Sequence, residues 1–206
     1  MLIVISSPTY VSNEAAIINQ LFDEGLSIFH LRKPESSSQE LVLLLQEINP
    51  IHYSKISLHS HHYIAKSFGI NRLHYTEASR KQVTEIDFSE NENILSTSVH
   101  TVLDYKNLSQ HFSYAFLSPV FGSISKPDYQ AQLFDLSDID NNTFTKLIAL
   151  GGIDETNCNK AYDMGFDGIA LLGSVWNNES PLKNFLQILK RYEEAKEVTS
   201  CNQLKN

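Results

Sequence analysis

The stretch FLSPVFGSISK, from Phe116 to Lys126, decides the fold when it is read with the two apolar runs behind it. These are LIALGGI, from Leu147 to Ile153, and GIALLGS, from Gly168 to Ser174. Each run has the composition of a buried strand and is broken at its carboxyl end by small residues. Glycine lets a backbone come close to an anion, and successive amides in a turn make a concave anion site. Two such ends late in a chain, preceded by a loop of hydroxyls and a lysine, match the way a (β/α)8 barrel grips phosphate after its seventh and eighth strands.

Working outward, short apolar runs alternate with helix-like stretches. Strands are expected at Leu2–Ile5, Ser27–Leu31, Ile56–His59, Arg72–Tyr75, Ile94–Val99, Tyr114–Leu117, Leu147–Leu150 and Gly168–Leu172. Between the first two, Ala16, Ile17, Leu21 and Phe22 fall at helical spacing and Gly25 ends the helix. Ser36 to Ser38 offer N-caps for a helix through Ile48, which Pro50 closes. The segment from Glu77 to Asn93 is polar and poorly patterned, so the fourth helix is expected to be a single turn or absent. Pro181 opens a last helix running to about Lys196. Strand then helix, repeated eight times, predicts an α/β fold, a compact (β/α)8 TIM barrel with trimmed loops. It occupies residues 1–197 as a single domain, and residues 198–206 read as a disordered tail. An open doubly wound sheet would carry its glycine turn after the first strand. Here that strand runs into SSPTY, which has no glycine.

At 206 residues the chain is shorter than the roughly 250 of a typical barrel, hence the trimmed connections. A net charge of −8 argues against a nucleic-acid partner, so an anionic ligand must be held by a local group of cations and amides. The two cysteines have no metal-type spacing and suit a reducing cytoplasm. The apolar run at the amino terminus is too short for a signal peptide or membrane span.

Candidate chemistry follows from position. Arg32 closes the second strand, where a planar guanidinium at the barrel mouth suits bidentate phosphate binding. Ser98 ends the fifth strand and can donate to a phosphate oxygen; His100 beside it reads as a helix cap or a surface residue. Ser118, Ser123, Ser125 and Lys126 surround Pro119 and Gly122, and such a loop can wrap a diphosphate, with lysine as a mobile point charge. Gly151 and Gly152, with Gly173 and Ser174, form the paired anion site. The cluster LHSHH, Leu58 to His62, raises a metal reading in which His59 and His61 meet His74 on one ion. No third firm ligand stands at a clear spacing, so solvent-facing or helix-start histidines are expected there.

Together HLR at 30–32, SVH at 98–100, SPVFGSISK at 118–126, ALGGI at 149–153 and GIALLGS at 168–174 resemble the thiamine phosphate synthase and TenI family of barrels, over nearly the whole chain. The resemblance implies a transferase of thiamine biosynthesis. It joins hydroxymethylpyrimidine diphosphate to thiazole phosphate with Mg2+, giving thiamine phosphate and diphosphate. It implies that Arg32, Ser98 and Lys126 hold the diphosphate, with His30 where synthases carry a glutamine, and that Gly152, Gly173 and Ser174 hold the thiazole phosphate. The implied partners are small phosphorylated heterocycles, and family members often self-associate as homo-oligomers.

Three departures qualify that expectation. The family's Arg-Glu-Lys falls on Arg32-Lys33-Pro34. Its Asn-Asp-Arg metal motif falls on His59-Ser60-His61, and its second aspartate falls on Ser79. Glu77 is then the one nearby carboxylate for a hard Mg2+ ion. Alternatives are a TenI-like thiazole tautomerase, although relatives place a histidine where Pro119 stands, and a non-catalytic binder of thiazole phosphate or thiamine phosphate.

Overall fold

Eight parallel strands close into a barrel in sequence order: β1 Leu2–Ile5, β2 Ile28–Leu31, β3 Ile56–Leu58, β4 Arg72–Tyr75, β5 Ile94–Val99, β6 Phe112–Leu117, β7 Lys146–Leu150 and β8 Gly168–Leu171. The computed structural model describes residues 1–83, 92–122, 134, 136, 139, 144–177 and 180–203, with side chains described as far as residue 194. The helices are α1 Glu14–Asp23, α2 Ser38–Glu47, α3 Glu77–Arg80, α4 Val102–Lys106, α5 Cys158–Asp163, α6 Gly173–Trp176 and α7 Pro181–Gln203. Two 3-10 helices, Pro50–Lys55 and His62–Phe68, flank β3.

Most boundaries follow local chemistry. Ser37 caps α2 and forms a reciprocal capping box with Glu40. Thr76 caps the single turn of α3, and Thr101 caps α4. Two differences from the sequence reading concern the ends. The last helix extends to Gln203, through positions assigned to a tail. The turn expected at Gly173–Ser174 is the start of a short helix, α6.

Alternation along each strand divides the core in two. Outward-facing Leu2, Val4, Phe29, Leu31, Ile56, Leu58, Leu73, Ala115 and Leu171 pack under the helices. Inward-facing Ile3, Ile5, Ile28, Tyr114, Phe116, Ile148 and Ala170 form a separate cluster inside the barrel. One charged pair lies outside the barrel. Lys33 is 1% exposed; its ammonium meets both oxygens of Glu14 at 2.7 Å and the carbonyls of Ser7 and Thr9 at 2.9 and 2.8 Å. The pair ties the start of α1 to the segment after β2. Lys33 therefore turns away from the barrel mouth and is a structural group.

Candidate functional site

The strand register stacks the barrel interior in layers of four, each drawn from alternate strands and advancing two residues for every two strands as the tilt requires. One layer is Ile3, Ser57, Ser96 and Ile148. Above it lies His30, His74, Phe116 and Ala170. Toward the strands' carboxyl ends, continuing the register puts His59 and Ser98 with Ile5 and Leu150. In these three layers the residues from β2 to β5 are polar, and those from β6 round to β1 are apolar.

Three imidazoles meet in the polar half. His30 Nδ1 lies 2.8 Å from His59 Nε2, and the His59 and His74 rings stack with centroids 4.0 Å apart. Outer groups fix the rings. Tyr114 Oη is 2.7 Å from His30 Nε2; Ser96 Oγ and Ser98 Oγ are 2.9 and 3.1 Å from His74 Nδ1 and Nε2. Phe116 packs against both His30 and His74. His59 Nδ1 is buried and has no hydrogen-bond partner among the described residues.

Burial is the main reason all three stay neutral, because a cation there would lose its hydration. It holds His30 well below the ordinary histidine value, helped by His74 and Arg72. His59 is lowered in the same way, with further contributions from His74, His30, Arg32 and His62. His74 is pushed down to about 3, with charge from His62, Arg32 and Arg80 adding to burial.

The LHSHH histidines thus divide. His61 and His62 start the 3-10 helix after β3, as expected, and bond the carbonyls of Ser36 and Leu58. His59 is half-buried, with its ring turned into the barrel against His74, and the third member is His30 rather than His61. The missing signal was register. His30 and His74 occupy one layer although 44 positions separate them in sequence, and strand pairing alone shows this.

The small residues stand just past the ends of β7 and β8. Gly151 and Gly152 adopt φ of +102° and +65°, which disfavours any side chain. They also lie against the Pro119–Gly122 turn: a Cβ on Gly152 would stand 2.5 Å from the Gly122 carbonyl oxygen. The amides of Val120 and Phe121 donate to the carbonyls of Leu150 and Gly151, so the β6 and β7 ends are one unit. Beyond β8, α6 begins at Gly173, and Trp176 Nε1 donates to the Ile5 carbonyl at 2.7 Å. Ser174 Oγ is buried without a partner among the described residues.

Arg32, two positions beyond His30, is half-buried at the mouth and near enough to His59 and His74 to disfavour their protonation. Ser98 touches His74. His100 is exposed, with Nδ1 2.9 Å from the Ser118 carbonyl oxygen, and does not join the cluster. Ser123, Ser125 and Lys126 lie outside the described residues.

A resident Mg2+ ion does not fit these donors. It asks for one or two carboxylates, whereas the β3 and β4 ends present His59 and His74. Glu77 is engaged by Lys81, whose hydrogen bond and charge hold its carboxyl below the ordinary range, and its other oxygen faces His100 at 3.8 Å. Among the described residues it is not part of the imidazole cluster.

Comparison with known proteins places this geometry in context. The family model described as thiamine monophosphate synthase matches residues 1–175. The thiamine-phosphate synthase of Clostridium acetobutylicum is 22% identical over 163 residues, 77% of each chain. A crystal structure of thiamine phosphate pyrophosphorylase from Bacteroides thetaiotaomicron is 29% identical, with TM-score 0.71 over 97% of each chain. The Pyrococcus furiosus thiamine phosphate pyrophosphorylase is 17% identical, with TM-score 0.73 over 94% of this chain and 96% of that one, a likeness of fold.

Proposed function

The chain belongs to the thiamine monophosphate synthase family, and from that premise we propose that it joins hydroxymethylpyrimidine diphosphate to thiazole phosphate. The reading rests on one observation: two glycine ends, after β7 and β8, share the barrel mouth with Arg32, just past β2.

In this reading the amides around Gly151, Gly152, Gly173 and Ser174 take the thiazole monophosphate, as main-chain donors take anions. Ser174 Oγ adds a side-chain donor. Arg32 takes the diphosphate bidentately, with Ser98 beside it and Lys126 by resemblance. The pyrimidine methylene–oxygen bond breaks and its electron pair leaves with the diphosphate. The electron-rich ring stabilises the methylene cation until the thiazole nitrogen attacks it and the carbon–nitrogen bond forms. The protein's task is to stabilise charge on the leaving group and exclude water. No step is assigned to Mg2+, for which the donors are unsuited.

The imidazole cluster favours a second reading, a thiazole tautomerase. Neutral imidazoles at a phosphate-binding mouth can exchange protons with a substrate; Pro119, where relatives place a histidine, cannot.

Purified protein with both substrates separates the readings. Release of diphosphate with formation of thiamine phosphate, reduced at least about 100-fold in Arg32→Ala, supports the transferase. Turnover of the thiazole tautomer, lost when His30, His59 or His74 is replaced, supports the isomerase instead. Binding of thiazole phosphate by calorimetry with neither turnover would leave a binding protein and overturn both.

A further inference from the structure

We propose that His30, His59 and His74 form a binding site for a divalent transition-metal ion of the Zn2+ type, at the centre of the barrel. The site stands whether or not the transferase reading holds.

The donors are already gathered. Each histidine offers a nitrogen, and these three atoms all lie within 4.8 Å of one another. Nitrogens bound to one Zn2+ at about 2.0–2.1 Å stand roughly 3.3–3.5 Å apart. The 2.8 Å His30–His59 contact must open a little, and longer separations must close by up to about 1.4 Å. Modest side-chain rotation supplies both.

The surroundings suit a metal better than a plain core. Interior layers of such barrels are ordinarily filled with branched apolar residues, as the β6 to β1 side is here. Metal-ligating histidines characteristically hold a second contact through the other ring nitrogen. His30 has Tyr114; both nitrogens of His74 meet serines, so one serine stays as its outer contact and the other gives way to the ion. The buried His59 Nδ1 has no partner among the described residues, so the ring is incompletely satisfied by the protein alone. Burial keeps the rings deprotonated, as ligation requires.

Ligand chemistry selects the ion. Three imidazoles without a carboxylate suit Zn2+, Co2+, Ni2+ or Cu2+ and disfavour Mg2+. Three protein ligands leave a fourth position, the pattern of catalytic rather than structural zinc sites. His59 lies toward the mouth, where Arg32 stands, so that position is reachable by water or by an oxygen of a phosphorylated ligand. The position of the family's metal-binding aspartate after β3 is Ser60, and the softer donor of this chain, His59, is its neighbour.

Chelator-treated protein is dialysed against Zn2+ and, separately, Mg2+, and metal per chain is measured. Co2+ is added as a spectroscopic probe. The expected result is one Zn2+ per chain, no stoichiometric Mg2+, and a Co2+ spectrum of four-coordinate intensity. Stoichiometric binding should vanish in His30→Gln, His59→Gln and His74→Gln but persist in His111→Asn, which removes an exposed histidine. Tyr114→Phe should weaken binding about 10-fold through the outer contact to His30. Thermal unfolding of the unsubstituted protein adds a readout independent of variant folding: Zn2+ should raise Tm and Mg2+ should not. Absence of stoichiometric Zn2+ uptake, or uptake surviving in all three glutamine variants, overturns the site.

Discussion

The two halves of the barrel interior were built to different rules. From β6 round to β1 the layers hold Ile3, Ile5, Phe116, Ile148 and Ala170, a packed apolar core. From β2 to β5 the same layers hold His30, Ser57, His59, His74, Ser96 and Ser98. Apolar burial of the first kind stabilises the fold at about 25 cal/mol per Å2. Polar burial of the second kind contributes little net stability, because each contact replaces one with water. The polar half is therefore better explained by chemistry at the mouth than by holding the barrel together.

The largest expected effect is acid sensitivity of the metal-free chain. His74 has a folded pKa of about 3, below the roughly 6.5 of an unfolded histidine. Below pH 6.5 the unfolded chain binds a proton that the folded chain refuses. Stability is full above that pH and is lost as pH falls toward 3, by roughly 5 kcal/mol from this residue. His30 and His59 act in the same direction. The cationic groups facing the cluster, Arg32, Arg72, Arg80 and His62, steepen the loss. Urea midpoints between pH 7 and pH 4 on chelator-treated protein should show a steep decline, flattened in His74→Gln. An equal decline in that variant would place the acid-sensitive groups elsewhere.

Truncation tests the halves directly. Phe116→Ala should cost about 3–5 kcal/mol, the transfer term plus a cavity. His59→Gln, across the barrel at the mouth, should cost within about 1 kcal/mol. Guanidinium midpoints of the two variants decide it. Equal losses would mean that both halves are ordinary core.

The apolar strands and the glycine ends were legible in the sequence because their signals are local. LIALGGI and GIALLGS are continuous runs ended by small residues, and the structure puts both at the carboxyl rim. Of the segment from Glu77 to Asn93, read as a single turn or no helix, the turn of α3 is described, and residues 84–91 lie outside the described residues. The histidine cluster was not legible. His59 and His74 were considered together, but with His61 as the third ligand. Local alternation cannot show that a β2 side chain shares a layer with one from β4; the pairing register of β2, β3 and β4 brings them together. The last helix was underestimated because its polar carboxyl-terminal turns read as a tail.

The smallest effect concerns the seam between the halves. Trp176 on α6, just past β8, donates to the Ile5 carbonyl at the end of β1, and Ile5 pairs in register with His30. Its ring also meets Phe29 edge-on. Trp176→Phe keeps most of the packing and removes one hydrogen bond, so it should cost about 1 kcal/mol. If that bond also aims the amides of Gly173 and Ser174 at an anion, affinity for inorganic phosphate should fall up to about fivefold in calorimetry, since 1.4 kcal/mol corresponds to tenfold. A loss of stability with unchanged phosphate affinity would show that the glycine turns set the rim by themselves. Trp176 would then belong wholly to the packing side of the comparison.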